Sequence, residues 1–350
     1  MITGIYDEKS VVFVILSFSL FSVSGIAVSK GRAKENTSIV TGHPPVAAPF
    51  LDNTNPYAWD EVTVDSKFSD PDGDTQDTSS SGTHYQWLIE EPIGSGKYQD
   101  IPGANGRTYI PEDKDRGKKL IVKVVPRTDP AITELAAGNE VTSNSAQVNA
   151  AAPPPVPFAS IIARGYTFAI NEGFPSTGFN GAVFTLITGR EPPSYYTWNA
   201  DRNWVKANSD GSIELSGNGV NENVTITATP TNGRGKALQY TFKISSWFYN
   251  DFSNYLSWSS ANSYCKGKKG IMPARESLSL GGAQRGMGSL FSEWGPLNGY
   301  SAGFLVGSGQ NYWTSSKKGS SYYMFYALDG DIGFTRSSGT NYVLCEKLLN

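Results

Sequence analysis

The sequence predicts a mainly β protein: two β-sandwiches in tandem, followed by an α+β region. Three observations predict this fold class. Charged residues make up only 17% of the 350 residues, whereas 37 glycines and 20 prolines suit short strands joined by many turns. Apolar and polar residues alternate in several short segments, and helical spacing appears only in the last third of the chain. The length accommodates three domains of about 100 to 150 residues.

The start of the chain predicts an export signal and a linker. Residues 11–21 form an apolar run, and Gly25 and Ala27 suit the small positions of a signal-peptidase site. We predict a cleaved signal peptide over residues 1–27. An uncleaved anchor is the alternative, although the run is well short of the ~20 residues that cross a bilayer. Residues 28–45 are polar, which favours an extended linker.

Residues 46–150 predict the first sandwich. Leu120, Val122 and Val124 stand at every second position and share one face, as a half-buried strand requires. Trp87 lies in another strand candidate, where a sandwich often places its core aromatic. This range contains no cysteine, so packing alone must hold its two sheets together.

Residues 151–157 predict a stiff spacer, because clustered prolines hold the backbone extended. Residues 158–245 then predict the second sandwich. Within it, Val224, Ile226 and Ala228 point to one side of a strand while threonines point to the other. Little linker separates this sandwich from the last third of the chain, so we predict a rigid junction.

Residues 246–350, the C-terminal region, predict a different kind of structure. Trp258, Ala261 and Cys265 are spaced for one face of a helix, and Ser257 can cap its start. The chain has two cysteines, Cys265 and Cys345. An exported chain reaches an oxidising compartment where such a pair is expected to close into a disulfide. Two buried free thiols are the alternative.

The sequence offers little for catalysis or nucleic-acid binding. Only His43 and His84 could act as imidazole bases, and no Gly-x-Ser-x-Gly elbow, Walker loop or dinucleotide fingerprint occurs. A formal net charge of -3 without a dense basic block leaves no electrostatic footprint for nucleic acid. We predict a non-enzymatic protein. A hydrolase with an unrecognised constellation is the enzymatic alternative.

Four aspartates around a glycine turn form the one candidate metal site: Asp70, Asp72, Asp74 and Asp77. Alternate carboxylates resemble the start of a calcium loop. The twelfth position from Asp70, where a bidentate Glu is expected, holds Ser81. The alternative is a solvated turn between strands. The sequence therefore predicts no cofactor other than this candidate calcium ion.

Several segments of the chain resemble the extracellular part of the intimin and invasin family of Gram-negative adhesins. Tyr264-Cys265 resembles the first helix of the family's C-type-lectin-like domain, and Met272-Pro273-Ala274 resembles the Leu-Pro-Thr segment after that helix. Asn311-Tyr312-Trp313-Thr314-Ser315-Ser316 resembles the domain's core strand, and Tyr342-Val343-Leu344-Cys345 resembles its closing strand. The resemblance covers residues 158–350 well, and residues 46–150 only as a generic immunoglobulin-like repeat. It implies tandem immunoglobulin-like domains and a C-type-lectin-like tip.

One departure from the family concerns export. The family's adhesins are anchored by their own N-terminal β-barrel, which needs many ~10-residue alternating strands. The residues before Val46 do not supply them, so the chain looks like a passenger separated from its barrel, similar to Zir-type proteins exported through an intimin-like β-barrel partner. We expect it to cross the periplasm of a Gram-negative bacterium and to be secreted or exposed on the outer surface, with no membrane span after signal cleavage.

The C-terminal region lacks the Glu-Pro-Asn, Gln-Pro-Asp and Trp-Asn-Asp triplets of calcium-dependent sugar-binding lectins, which leaves protein recognition as its use. Invasin-like proteins engage the metal of an integrin with a tip aspartate, and the resemblance makes Asp329 and Asp331 candidate contacts. A plain hairpin turn is the alternative. Tyr323 and Phe325 share one side of an aromatic strand, which is either a binding patch or core.

The sequence thus predicts an adhesin-like protein in which the sandwiches form a stalk and the C-terminal region recognises a protein receptor on a host or bacterial surface. The alternative is a soluble virulence modulator, exported through a partner intimin-like barrel, that accumulates outside the cell.

Overall fold

The computed structural model describes residues 42–129, 131, 135–305, 307 and 310–349. The predicted signal peptide and most of the predicted linker lie outside these residues. The described chain is mainly β, as predicted, with 23 β-strands, three α-helices and two 3-10 helices at Asp113–Asp115 and Pro193–Tyr195. None of the helices in the described ranges combines the length and the hydropathy needed to cross a membrane.

The first sandwich consists of two facing sheets. Its strands are β1 (Phe50–Leu51), β2 (Val62–Asp65), β3 (His84–Glu90), β4 (Tyr98–Asp100), β5 (Thr108–Tyr109), β6 (Lys119–Val125), β7 (Val141–Thr142) and β8 (Ala146–Gln147). One sheet has the order β1-β2-β5 and the other β4-β3-β6-β7, with β8 also pairing β6. Leu120, Val122 and Val124 are fully buried in one core cluster with Trp87, which confirms the predicted inward face.

The second sandwich also has two sheets. Its strands are β9 (Val156–Pro157), β10 (Ser160–Ala163), β11 (Tyr166–Phe168), β12 (Thr177–Phe179), β13 (Ala182–Ile187), β14 (Tyr196–Ala200), β15 (Val205–Ala207), β16 (Ser212–Leu215), β17 (Val224–Pro230) and β18 (Leu238–Phe242). The sheet orders are β11-β10-β13-β16-β15 and β14-β17-β18-β9. Val224, Ile226 and Ala228 are fully buried, so the inward face of β17 is confirmed. The last two residues of the predicted spacer form β9, which pairs with β18 in parallel.

The C-terminal region packs three helices against one sheet. Its elements are β19 (Ser246–Ser257), α1 (Trp258–Gly267), α2 (Arg275–Leu278), α3 (Leu290–Trp294), β20 (Asn311–Lys318), β21 (Ser321–Tyr326), β22 (Ile332–Arg336) and β23 (Thr340–Leu348). The sheet has the order β12-β19-β23-β20-β21-β22, so β12 of the second sandwich supplies one edge. At the start of α1 the Ser257 hydroxyl accepts a hydrogen bond from the Ser260 N–H, as a capping serine does.

One hydrophobic core runs through the second sandwich and the C-terminal region. Trp294 of α3 is fully buried, and its ring centroid lies 5.1 Å from that of Phe174 and 5.4 Å from that of Phe179. Phe174 and Phe179 belong to the second sandwich by sequence, whereas the first sandwich has a core cluster of its own. The predicted boundary after residue 245 therefore lies within a continuous core, and the domain limits stay predictions.

Candidate partner-binding surface

A buried carboxylate attaches α3 to the second sandwich. Glu293 accepts hydrogen bonds from the backbone N–H groups of Ser176 (3.0 Å), Thr177 (2.9 Å) and Gly288 (2.9 Å), and from the hydroxyls of Ser176 and Thr177. Burial raises the pKa of the Glu293 carboxyl, and the hydrogen bonds oppose that shift. A buried carboxylate without such donors would be strongly disfavoured. The network therefore fixes α3 to the start of β12.

Arg285 makes a second connection across the same junction. Its guanidinium donates hydrogen bonds to the carbonyl oxygens of Ala163 (2.8 Å), Ser292 (3.0 Å) and Glu293 (2.9 Å), and it lies 5.0 Å from the ring centroid of Tyr166. Ala163 ends β10, while Ser292 and Glu293 lie in α3. Because a planar guanidinium holds several acceptors in fixed directions, these contacts restrain the C-terminal region on the second sandwich.

The sheet carries the rest of the C-terminal region away from this junction. Strand β19 pairs with β12 through residues 246–248 and runs on to Ser257, with a register shift between Asp251 and Tyr255. Phe248 pairs with Glu346 of β23 and Ser257 pairs with Thr340, so this stretch covers roughly 20 Å at ~3.3 Å per residue of β23. The end of the sheet near Ser257 is here called the far end. Trp258 Nε1 donates to the Thr314 carbonyl there (2.9 Å). Cys265 of α1 is bonded to Cys345 of β23 with a Cα–Cα distance of 5.4 Å, which confirms the predicted disulfide.

Cations lie over aromatic rings at the far end. Lys318 Nζ lies 3.9 Å from the ring centroid of Phe334, Arg275 Cζ lies 4.8 Å from that of Tyr323, and Lys317 Nζ lies 5.3 Å from that of Tyr322. Phe334 is 53% exposed. The distal patch is defined as Arg275, Lys318, Tyr323, Phe334 and Arg336, which lie on one side of the sheet; Lys317 and Tyr322 lie on the other side, because successive residues of a strand point to opposite faces. Such pairs keep long cationic side chains flat against the rings and leave the aromatic edges accessible.

The distal patch has an excess of positive charge. Arg275 forms an ion pair with Glu276. Lys318 and Arg336 form no ion pair with any carboxylate in the described part of the chain. The sequence analysis did not identify Lys318, Phe334 or Arg336 as candidate contacts. Alternation along β22 could have indicated that Phe334 and Arg336 lie on one side of the strand.

Asp329 and Asp331 lie in the turn between β21 and β22, at the opposite end of this hairpin from Lys318 and Arg336. Both are exposed, and Asp329 Oδ1 accepts a hydrogen bond from the Asp331 N–H (3.0 Å). Between them, Gly330 has a φ of 76°, and a Cβ there would clash with the Gly282 carbonyl oxygen. This segment thus forms a hairpin turn, and contact of the two carboxylates with a partner stays a prediction.

The prediction for the aromatic strand was half wrong. Phe325 is fully buried, with its ring 6.4 Å from that of Phe291 in α3, so it cannot contact a partner. Tyr323 lies on the same side of β21 but nearer the far end, where it is only partly buried and pairs across the strands with Phe334. One side of β21 therefore passes from core to surface, and only Tyr323 remains a candidate contact.

Three of the four candidate calcium ligands, Asp70, Asp72 and Asp77, accept hydrogen bonds from groups of the protein itself. Asp70 Oδ1 accepts hydrogen bonds from the N–H groups of Asp72 (2.8 Å) and Asp74 (3.3 Å), and Asp77 Oδ1 accepts one from Ser79 (2.8 Å). Asp72 Oδ1 lies 2.9 Å from His43 Nδ1, and this hydrogen bond raises the pKa of the His43 imidazole. Within the described ranges, no three His, Cys, Asp or Glu residues are grouped to hold a metal ion. The geometry favours the turn.

Calcium is accordingly expected to leave the stability of the protein unchanged. We expect less than about 1 °C change in the melting temperature at millimolar calcium, because a ligand stabilises a fold only when it binds the folded state. Calorimetry of the full chain with calcium and with a chelator measures this. A calcium-dependent rise that Asp70→Asn abolishes would restore the site.

Residues 159–242 match the family model described as "Invasin, domain 4". The resemblance to the intimin and invasin family is confirmed. The chain is 32% identical over 183 residues to the inverse autotransporter adhesin YeeJ of Escherichia coli (strain K12). The aligned region covers 50% of this chain and 8% of YeeJ.

A second relative is invasin of Yersinia enterocolitica, which is 28% identical to this chain over 196 residues. The aligned region covers 55% of this chain and 23% of invasin. The chain spans less than a quarter of either relative's length. Among solved structures, the crystal structure titled "Invasin: a bacterial integrin-binding protein" aligns with 87% of this chain and 59% of its own, with a TM-score of 0.53 and 19% identity. This likeness confirms the predicted fold of immunoglobulin-like sandwiches followed by a lectin-like region.

Proposed function

We propose that this chain is a non-enzymatic, adhesin-like binding protein whose C-terminal region recognises a protein partner on a host or bacterial surface. One relative is named an inverse autotransporter adhesin and another is named invasin, and the invasin in the solved structure is described as integrin-binding. The observation that carries the proposal is the distal patch, which combines exposed aromatic surface with cations that have no carboxylate partner among the described residues.

The chemistry of the distal patch suits a protein surface. Aromatic and arginine side chains contribute most of the binding free energy at protein interfaces. Phe334 exposes apolar surface, and burial of such surface by a partner contributes a favourable free energy of about 25 cal/mol per Å². Lys318 and Arg336 favour a partner whose facing surface is acidic, since complementary charge speeds association and excludes like-charged surfaces.

The turn carboxylates can extend this surface. Asp329 and Asp331 lie one hairpin length from Lys318, which is roughly 20 Å at ~3.3 Å per residue over the six residues of β21. An ordinary interface of about 800 Å² per partner spans that distance. We therefore propose Tyr323 as a primary contact and Asp329 and Asp331 as peripheral contacts.

We further propose that the chain acts outside the cell or on the outer surface of a Gram-negative bacterium after export through the periplasm, with an intimin-like β-barrel as export partner. The Cys265–Cys345 disulfide supports a route through an oxidising compartment, because such bonds persist there and are rare in the cytosol.

A variant that disrupts the distal patch tests the proposal. Phe334→Ser combined with Lys318→Glu removes the exposed ring and reverses one charge. We expect binding of the labelled full chain to intact cultured epithelial cells to weaken about 30-fold, the loss that corresponds to an interface hot spot of about 2 kcal/mol. Flow cytometry over a concentration series gives the apparent Kd. Protease treatment of the cells should abolish the signal, because the proposed partner is a protein.

The matched control is Leu348→Ser. Leu348 is 55% exposed, against 53% for Phe334, and it pairs with Ser246 at the end of the sheet next to β12, away from the far end. This variant should bind like the unmodified chain. Asp329→Ala with Asp331→Ala reports separately on the turn. Equal binding by the distal-patch variant, or binding that survives protease, would contradict the proposal.

A further inference from the structure

A cleft lies in the first sandwich, which the proposed function treats only as a stalk. It has a volume of about 700 Å³ and lies between the end of β2 and the segment 76–83. Tyr85, Asn105 and Arg107 complete its lining. This volume falls within the range of ordinary small-molecule sites, about 300 to 1,000 Å³.

The wall formed by residues 76–83 is fixed by its own hydrogen bonds. Gln76 Nε2 donates to the Thr83 hydroxyl (2.9 Å), and the Thr83 N–H donates to the Asp77 carbonyl (3.0 Å). Gly82 lies so close to this carbonyl that a Cβ would clash with the oxygen. The segment is thus folded back on itself, and the cleft exists before any ligand arrives, which lowers the entropic penalty of binding.

Charges in the cleft are already balanced. Lys67 Nζ lies 2.8 Å from Asp65 Oδ2, and the Ser79 N–H donates to Asp77 Oδ1 (2.8 Å). Arg107 Nε donates to the Val64 carbonyl (3.0 Å) beside Asp65. The lining thus contains two cations and two carboxylates, and its formal charge is zero. The lining therefore favours an uncharged, polar ligand.

Several polar groups in the lining are available to such a ligand. In the part of the chain that the structure describes, the Ser80 hydroxyl, the Tyr85 hydroxyl and the Asn105 carboxamide form no hydrogen bond with the protein. Hydroxyls and carboxamides each donate and accept, as sugar hydroxyls do. Tyr85 and Phe68 add partly buried aromatic surface, against which the apolar face of a sugar ring can pack.

We propose that this cleft of the first sandwich is a binding site for a neutral saccharide of two or three rings. The site is separate from the distal patch and does not rest on the proposed partner protein. It would add a glycan contact to the part of the chain predicted to serve as a stalk.

The test uses the full chain and four neutral disaccharides: lactose, maltose, cellobiose and diacetylchitobiose. Saturation-transfer NMR should detect at least one of them, and titration calorimetry should give its Kd. Ser80→Trp places a large side chain in the cleft, and Asn105→Ala removes a carboxamide. Both residues are exposed, so the fold should survive. We expect each variant to weaken binding at least tenfold, while Asn298→Ala, an exposed carboxamide of the C-terminal region, leaves it unchanged.

Three results would overturn the inference: saturation transfer to none of the four disaccharides, binding that neither cleft variant reduces, or binding of the anionic trisaccharide sialyllactose without any neutral sugar. The distal-patch variant serves as a cross-check. It should bind the disaccharide like the unmodified chain, so that failure of the partner proposal and failure of the saccharide proposal are distinguishable.

Discussion

Replacing both Cys265 and Cys345 by alanine is expected to lower the free energy of unfolding of the C-terminal region by about 4.5 kcal/mol. The bond closes a loop with a sequence separation of 80 residues, and its loss returns that conformational freedom to the unfolded chain. A loss of this size is a large fraction of the roughly 5 to 15 kcal/mol typical of a folded domain. Guanidinium denaturation of the full chain, followed by circular dichroism, measures it.

The control for this prediction separates the bond from the packing of the cysteines. Both sulfur-bearing side chains are buried in one cluster with Trp313 and Val343, so alanine also leaves small cavities. Reduction of the unmodified chain breaks the bond and keeps the side chains. If the reduced protein unfolds within about 1 kcal/mol of the oxidised protein, loop closure is not the source of the stability.

Trp294→Ala is expected to cost about 3 to 5 kcal/mol, the range for removal of a large buried aromatic side chain. The Trp294 ring packs on residues of the second sandwich, and its Nε1 donates to the Thr177 hydroxyl (3.0 Å). Since the cavity would open inside a core that both regions share, their protection against hydrogen exchange should fall together. Mass-spectrometric hydrogen exchange resolves the two regions.

Trp258→Ala is the matched control for Trp294→Ala. Trp258 is only partly buried and stacks on Tyr322 at the far end, with ring centroids 3.9 Å apart. Its removal should cost less, about 1 to 2 kcal/mol, and should leave exchange in the second sandwich unchanged. A Trp294→Ala protein in which only the C-terminal region lost protection would show that the two regions unfold independently.

The elements that the sequence predicted well are those set by near neighbours. The inward faces of β6 and β17 follow from alternation, since successive side chains on a strand point to opposite sides. The start of α1 follows from Ser257, because a serine hydroxyl is a preferred acceptor for the free backbone N–H groups at a helix N-terminus. The disulfide follows from composition, because two cysteines allow one pairing.

The features that the sequence did not predict depend on residues far apart in the chain. Lys318 and Phe334 meet only through the register of β20, β21 and β22. Glu293 and Ser176 are 117 positions apart, and no local pattern pairs them. For Phe325, alternation distinguished the two sides of β21 but could not show which side α3 covers. The candidate surface was therefore only partly predictable.

The pairing of β12 with β19 limits how the molecule can be dissected. A recombinant fragment beginning at residue 246 would lack β12 and expose the backbone donors and acceptors of β19 along an open edge, where other chains can add and aggregate. It would also lose Phe179, which fills the space beside Trp294. Receptor screens should therefore use fragments that begin before β9, so that the C-terminal region keeps β12 as the edge strand of its sheet.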